Sequence, residues 1–183
     1  MINMKLLMLI LFLFGFHFMV NAQQEFYLFE LSDISGRTIS LRDYRGKKVL
    51  VILTNSSTPD SVRVGKIVKV TKEFGAKLAT IVIPISDFNS TSIDISKDYL
   101  KKFQKEGIIV TEPVLAKKTS QQQSVFLKWL TSKDKNNHFD IDVEVPFQMF
   151  AISEKGRLYA VMAGIDDIDK GFLRDILAVK VIE

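Results

Sequence analysis

The side chains of this chain that could do chemistry gather first in Thr54-Asn55-Ser56-Ser57-Thr58-Pro59-Asp60-Ser61, a loop rich in hydroxyls. A hydroxyl nucleophile needs a base within hydrogen-bond reach and an acid that orients the base. Ser57 or Thr58, Asp87 and His138 supply those residue types. Their setting does not support the reading. No G-x-S-x-G elbow is present, and His138 follows Asn136-Asn137 in a polar stretch. The three read instead as unrelated surface residues. The sequence contains no cysteine, and its two histidines are His17 and His138. Thiol–disulfide exchange, Cys–His nucleophile pairs and Cys- or His-rich metal sites are therefore excluded.

Weaker candidates remain. Ser56, Ser57 and Thr58 precede an expected helix start, where backbone N–H groups attract anions, although every helix start does so. Asp140, Asp142 and Glu144 alternate with Ile141, Val143 and Val145. Period two places the acids on one face of a strand. Calcium takes oxygen-rich sets, but the glycine of a calcium loop is missing. A solvated strand face is the expectation, with no metal and no cofactor. Arg63, Lys66, Lys69 and Lys72 recur every third residue, and Lys101, Lys102 and Lys105 follow on the next helix. Such faces are usually solvated; the alternative is docking to an acidic partner or an envelope polyanion.

The elements that must position these residues alternate between strand and helix patterns. Phe26 to Leu31 and Thr38 to Leu41 read as a hairpin across Asp33–Arg37. Val49 to Leu53 is an apolar, mostly β-branched run, typical of a strand buried on both faces. Asp60 or Ser61 caps a helix to Phe74, stopped by Gly75. Leu78 to Ile83 is a second buried strand, closed by Pro84. Ser96 caps a helix to Glu106, and Ile108 to Val110 is a short strand. Ser120 caps a helix whose apolar face is Val125, Phe126, Trp129 and Leu130. Phe147 to Ile152 and Leu158 to Met162 flank Glu154-Lys155-Gly156-Arg157, a hairpin signal. Asp166, Asp167 and Asp169 open a last helix with Ile168, Phe172, Leu173, Ile176 and Leu177 as its core stripe. The fold class is α/β: a thioredoxin-like mixed sheet flanked by helices, with an N-terminal β-hairpin.

The N-terminus has a different character. Lys5 is followed by the apolar run Leu6 to Val20, and Val20-Asn21-Ala22 ends on a small residue. That is the layout of a secretory signal peptide over residues 1–22. A membrane anchor is the alternative, but the run is short of the roughly 20 residues a spanning helix needs. Residues 23–183 then form a single domain, long enough to build its own core without disulfides. Removing Lys5 lowers the formal charge from +4 to +3. That excess is too small to imply a nucleic-acid partner. The expected location is periplasmic or extracellular, with no stable membrane span after signal cleavage.

Three stretches in the N-terminal half stand out together: Phe29-Glu30-Leu31, Ser40-Leu41-Arg42-Asp43-Tyr44-Arg45-Gly46-Lys47 and Val49-Leu50-Val51-Ile52. Ile83-Pro84 to Phe88, Phe126-Leu127-Lys128-Trp129-Leu130-Thr131 to Phe139, and Phe147 to Gly156 follow in order. By these stretches the chain resembles the glutathione peroxidase family of the thioredoxin-like superfamily. The family's peroxidases use a cysteine or selenocysteine with glutamine, tryptophan and asparagine. The resemblance places those four positions on Thr58, Asp87, Val145 and Pro146, and all four are changed. It also places Val145-Pro146 where thioredoxin-like proteins keep a cis-proline, so a cis bond is expected there.

A peroxidatic step needs a thiolate or selenolate that is oxidised to a sulfenic-type species. An alcohol is far less acidic and has no comparable redox ladder. No confident catalytic residue follows, and thiol peroxidase activity is not expected. The sequence points to an exported protein that has lost its redox centre and binds an unknown protein or small molecule. The ligand-binding candidates are Ser57, Thr58, Asp87 and Pro146. The alternative is a peroxidase- or oxidoreductase-type role in oxidative-stress response, as in the family.

Overall fold

The computed structural model describes residues 26–55, 61–87, 97–164 and 171–181. Strands β1 (Glu30–Ser32) and β2 (Thr38–Ser40) pair antiparallel as a hairpin. Asp33 builds its turn: Oδ1 accepts from the amides of Ser35 and Arg37, at 2.8 and 2.9 Å. Gly36 supplies the positive φ, +79°, that the reversal requires.

The main sheet runs β5-β4-β3-β6-β7. Its strands are β3 (Lys48–Asn55), β4 (Leu78–Ile85), β5 (Ile109–Val110), β6 (Met149–Ile152) and β7 (Leu158–Met162). β3, β4 and β5 are parallel, while β6 runs antiparallel to both β3 and β7. The helices are α1 (Ser61–Phe74), α2 (Lys97–Lys105), α3 (Val125–Thr131), α4 (Lys133–Asn136) and α5 (Phe172–Ala178). The sheet is thus mixed and flanked by helices, with the antiparallel hairpin near the N-terminus.

Alternation along β3 divides the core. Val49, Val51 and Leu53 join Phe26, Leu41, Phe126, Trp129 and Phe150 on one face. Leu50 and Ile52 join Ile67 and Val70 of α1, Leu100 and Phe103 of α2, and Leu173 and Leu177 of α5 on the other. Each such side chain, buried fully, contributes about 1.5–3 kcal/mol. That is why the β-branched run of β3 forms the sheet centre.

Lys48 opens β3 and is only 7% exposed. Its Nζ donates to the Val179 carbonyl at the C-cap of α5 and lies 5.3 Å from the centre of the Tyr159 ring. Tyr159 Oη donates to the Ile176 carbonyl at 3.2 Å. Burial, and then the Glu154 charge, push the Tyr159 phenol well above its ordinary pKa.

Several expectations are corrected. Pro84 does not close its strand, because β4 continues to Ile85 with Pro84 beside Thr54 of β3. The Pro84 carbonyl accepts from Val114, on the side where β5 has already ended. The missing N–H therefore costs no ladder bond. Ser120 does not cap α3. The helix starts at Val125 with Ser124 as N-cap, whose Oγ accepts from the Leu127 amide at 3.2 Å. That start leaves Val125 72% exposed, off the buried face of Phe126, Trp129 and Leu130.

Asp140, Asp142 and Glu144 form no strand face. Asp142 Oδ1 accepts from its neighbour Val143 and from Lys118, at 2.8 and 2.9 Å. A short acid that bonds nearby backbone competes with a ladder. Asp140 pairs with Lys118. Phe172 is 49% exposed, because α5 begins there behind Gly171 and buries Leu173 and Leu177 instead. Asp60, Ser96, Asp166, Asp167, Ile168 and Asp169 lie outside the described residues.

Candidate functional site

The parallel pairing of β3 with β4 sends both C-terminal ends to one edge of the sheet, where open α/β sheets bind ligands. β3 ends at Thr54 and Asn55, directly before the hydroxyl loop. Ser57 and Thr58 lie outside the described residues. β4 ends at Ile85, two residues before Asp87. The segment before β6 reaches the same edge. The Phe147 amide donates to the Leu53 carbonyl at 2.6 Å, and the Leu53 amide to the Gln148 carbonyl at 3.0 Å. Val145 and Pro146 therefore lie beside the end of β3.

The Val145–Pro146 bond is trans, since the described residues contain no cis peptide bond. This corrects the expected cis-proline. The chain reverses at the next residue, where Phe147 takes φ +67°. Its ring is buried, with the Arg63 guanidinium 4.8 Å from its centre. That contact is worth about 0.5–1 kcal/mol at a partly exposed site. It also places a fixed cation from the first turn of α1 at this edge. Gln148 locks the same segment: Nε2 donates to the Asp142 carbonyl at 3.0 Å, and Oε1 accepts from the Glu144 amide at 3.1 Å.

Asp87 is held by its own chain. Its carboxylate accepts from the Ala116 amide (2.7 and 2.9 Å), the Lys117 amide (2.8 Å) and the Ser120 hydroxyl (2.6 Å). Burial alone would raise its pKa. The Ser120, Lys117 and Ala116 donors outweigh that and hold it below the ordinary aspartate value. Asp87 is a carboxylate at neutral pH whose oxygens are occupied by the 116–120 segment.

His138 faces a different partner. Arg157 Nε donates to His138 Nε2 at 2.8 Å. That nitrogen is an acceptor, so the ring proton sits on Nδ1. Burial, then the Arg157 charge, lower its pKa, and the imidazole is neutral. Among the described residues, Asp87 and His138 are not hydrogen-bonded to each other. Thr54 Oγ1, fully buried at the end of β3, has no hydrogen-bond partner among the described residues. Also among the described residues, no group of three His, Cys, Asp or Glu side chains is placed to hold a metal ion, and no helix is long and apolar enough to cross a membrane.

Arg63, Phe147 and Gln148 were not legible as site residues. Arg63 shares the basic spacing of Lys66 and Lys69. Phe147 and Gln148 read as the start of a strand. Only the chain reversal brings them to the β3 end.

A parallel β3–α1–β4 unit with β6 and β7 added antiparallel defines a thioredoxin-like fold, here without a thiol at its β3–α1 loop. Solved structures agree. The apo crystal structure of Trgpx superposes with a TM-score of 0.60 at 19% identity, over 84% of this chain and 96% of that one. A thioredoxin-family thiol:disulfide interchange protein from Chlorobium tepidum gives 0.53 at 17% identity, over 82% and 93%.

In sequence the chain is similar to glutathione peroxidases. It is 31% identical over 110 residues to human Probable glutathione peroxidase 8, which is 58% of this chain and 52% of the human protein. It is 30% identical over 120 residues to the Mus musculus protein of the same name, 63% and 56%. The chain thus spans about half the length of the curated relatives it matches. No protein-family model matches it. The resemblance to the glutathione peroxidase family is shown by these relatives, and the chain has no cysteine from which the family's peroxidatic step could start.

Proposed function

We propose that this is an exported, glutathione peroxidase-like protein that has lost its redox centre and works as a non-catalytic binding or accessory protein. The observation that carries the reading is the complete absence of cysteine on a fold whose chemistry is thiol chemistry. The state of Asp87 supports it. At the position the resemblance gives to the catalytic glutamine stands a carboxylate already filled by Ala116, Lys117 and Ser120. An anion there also disfavours forming a second anion beside it.

The ligand face would lie at the sheet edge where β3 ends, beside Pro146 and the wall Asp87 holds in place, with Ser57 and Thr58 following β3 in the sequence. Residues 1–22 act as a signal peptide, and the mature domain, residues 23–183, works in the periplasm or outside the cell. N-terminal sequencing of the exported protein should begin at Gln23.

The test is hydroperoxide consumption by the purified protein, supplied in turn with glutathione and thioredoxin, beside a Thr58→Cys variant. No turnover above a protein-free blank is expected from the parent. Turnover would favour the competing reading, a peroxidase-type role in oxidative-stress response, for which the names of the curated relatives speak.

A further inference from the structure

Positive charge is concentrated on two helices that share one face of the sheet. The sequences of α1 and α2 hold eight basic and two acidic residues, a net of +6, against +4 for the whole chain. Everything else together is therefore net −2. The small overall charge conceals a strong local excess.

The basic residues of α1 do not stack along one side. A step of three residues rises about 4.5 Å and falls back about 60° around the axis. From Arg63 to Lys72 the row thus crosses to the opposite side of the helix, and the contacts agree. The Arg63 guanidinium lies 4.8 Å from the centre of the Phe147 ring, before β6, while Lys72 Nζ pairs at 2.5 Å with Glu106, just past α2. Lys69 stands exposed between these two anchors. On α2, Lys101, Lys102 and Lys105 are exposed and carry the band onward. The acids beside it are engaged: Glu106 by Lys72, and Glu73 by Arg174 at 2.6 Å. Among the described residues, Lys69, Lys102 and Lys105 have no ion-pair partner.

The chemistry of the band narrows its partner. A protein interface centres on buried apolar anchors. Among the described residues, no large apolar side chain is exposed between Lys66 and Lys105, and no aromatic ring on which a base could stack. Lysines are point charges on flexible stems, suited to charge spread along a polymer rather than to one bidentate group. A wide duplex would also meet the net-negative remainder of the chain, which a single thin strand can avoid.

We propose that the α1–α2 band binds a linear acidic polysaccharide, with Lys69, Lys102 and Lys105 neutralising its carboxylates. This surface is separate from the ligand face at the end of β3 and does not depend on the absence of a thiol.

Alginate, a linear polyuronate, is the probe, and neutral dextran the control. Binding to the purified protein is measured along a salt series. Each charge neutralised on a single-stranded polyanion contributes about −0.7 to the slope of log K against log salt. Three contacts give a roughly twentyfold loss of affinity between about 50 and 200 mM salt. Lys69→Gln, Lys102→Gln and Lys105→Gln should each remove about a third of that slope. Lys128→Gln and Lys135→Gln, exposed on the other side of the sheet, should leave it unchanged.

Three results would overturn the proposal. Alginate could bind no better than dextran. Lys128→Gln and Lys135→Gln could weaken binding as much as the band variants, which would assign it to overall charge. Or polyglutamate or duplex DNA of matched charge could bind more tightly than alginate, which would assign the band to another class of polymer.

Discussion

Replacing Asp87 with alanine removes the acceptor for two backbone amides and one hydroxyl in the 116–120 segment. A hydrogen bond to a charged group contributes about 1.5–3 kcal/mol, and bonds that share one carboxylate are not additive. The segment is also half-exposed around its buried Ala116, so water replaces part of the loss. The expected destabilisation is about 3 kcal/mol for Asp87→Ala. For Asp87→Asn, which keeps one acceptor oxygen, it is about half that. With a urea slope of about 2 kcal/mol/M, the alanine midpoint should fall by about 1.5 M.

The pH dependence has a definite sign. The folded pKa of Asp87 is depressed, so its stabilisation is present above the unfolded value near 3.8 and is lost as pH falls through the folded value. Asp33 and Asp140 are depressed as well, and their contributions disappear in the same acid window. The parent protein should therefore lose stability below about pH 4 more steeply than Asp87→Asn. Urea melts at pH 7 and along an acid series, with hydrogen exchange at the Ala116 and Lys117 amides, measure both effects. A loss under about 0.5 kcal/mol in Asp87→Ala, with those amides still protected, would refute the assignment of Asp87 as the holder of this segment.

Two further outcomes are expected. Lys48→Met keeps most of the buried stem but removes the donor to the Val179 carbonyl and the cation beside Tyr159. It should cost about 2 kcal/mol and speed proteolysis near the end of α5, read by limited digestion. In NMR titration, His138 should take up its proton below the ordinary value of 6.5, and Arg157→Gln should move the midpoint upward. A His138 midpoint unmoved by that change would show that the Arg157 charge does not act on the ring.

The sequence was most readable where a pattern is local and repeated. The apolar runs of β3 and β4, the glycines that end α1 and α2, and the Glu154–Arg157 turn all state their structure within a few residues. It misled where a side chain finds a distant partner. Ser120 has the residue type of a helix cap, but it lies 33 positions from Asp87 and donates to it. Asp142 alternates like a strand residue, yet its carboxylate takes the Lys118 amide 24 positions away. Pro84 looks like a strand end only until its missing N–H is seen to face a side without a partner strand. At the candidate site, residue types alone showed that no thiol is present. They could not place Arg63 over Phe147, because that contact joins α1 to a segment some eighty residues later.

The pairing of β3 has a consequence for how the chain is made. β3 lies between β4, which follows it closely, and β6, whose partner residue to Val49 is Ile152. While the chain emerges from the ribosome, the flank of β3 that β6 will cover stays unpaired from Asn55 until Met149, about half of synthesis. Parallel and long-range pairings close slowly, and such a flank is an aggregation hazard. The domain can lock only once its last quarter is available, so a holding factor, or prompt transfer of the unfolded chain across a membrane, would protect it until then.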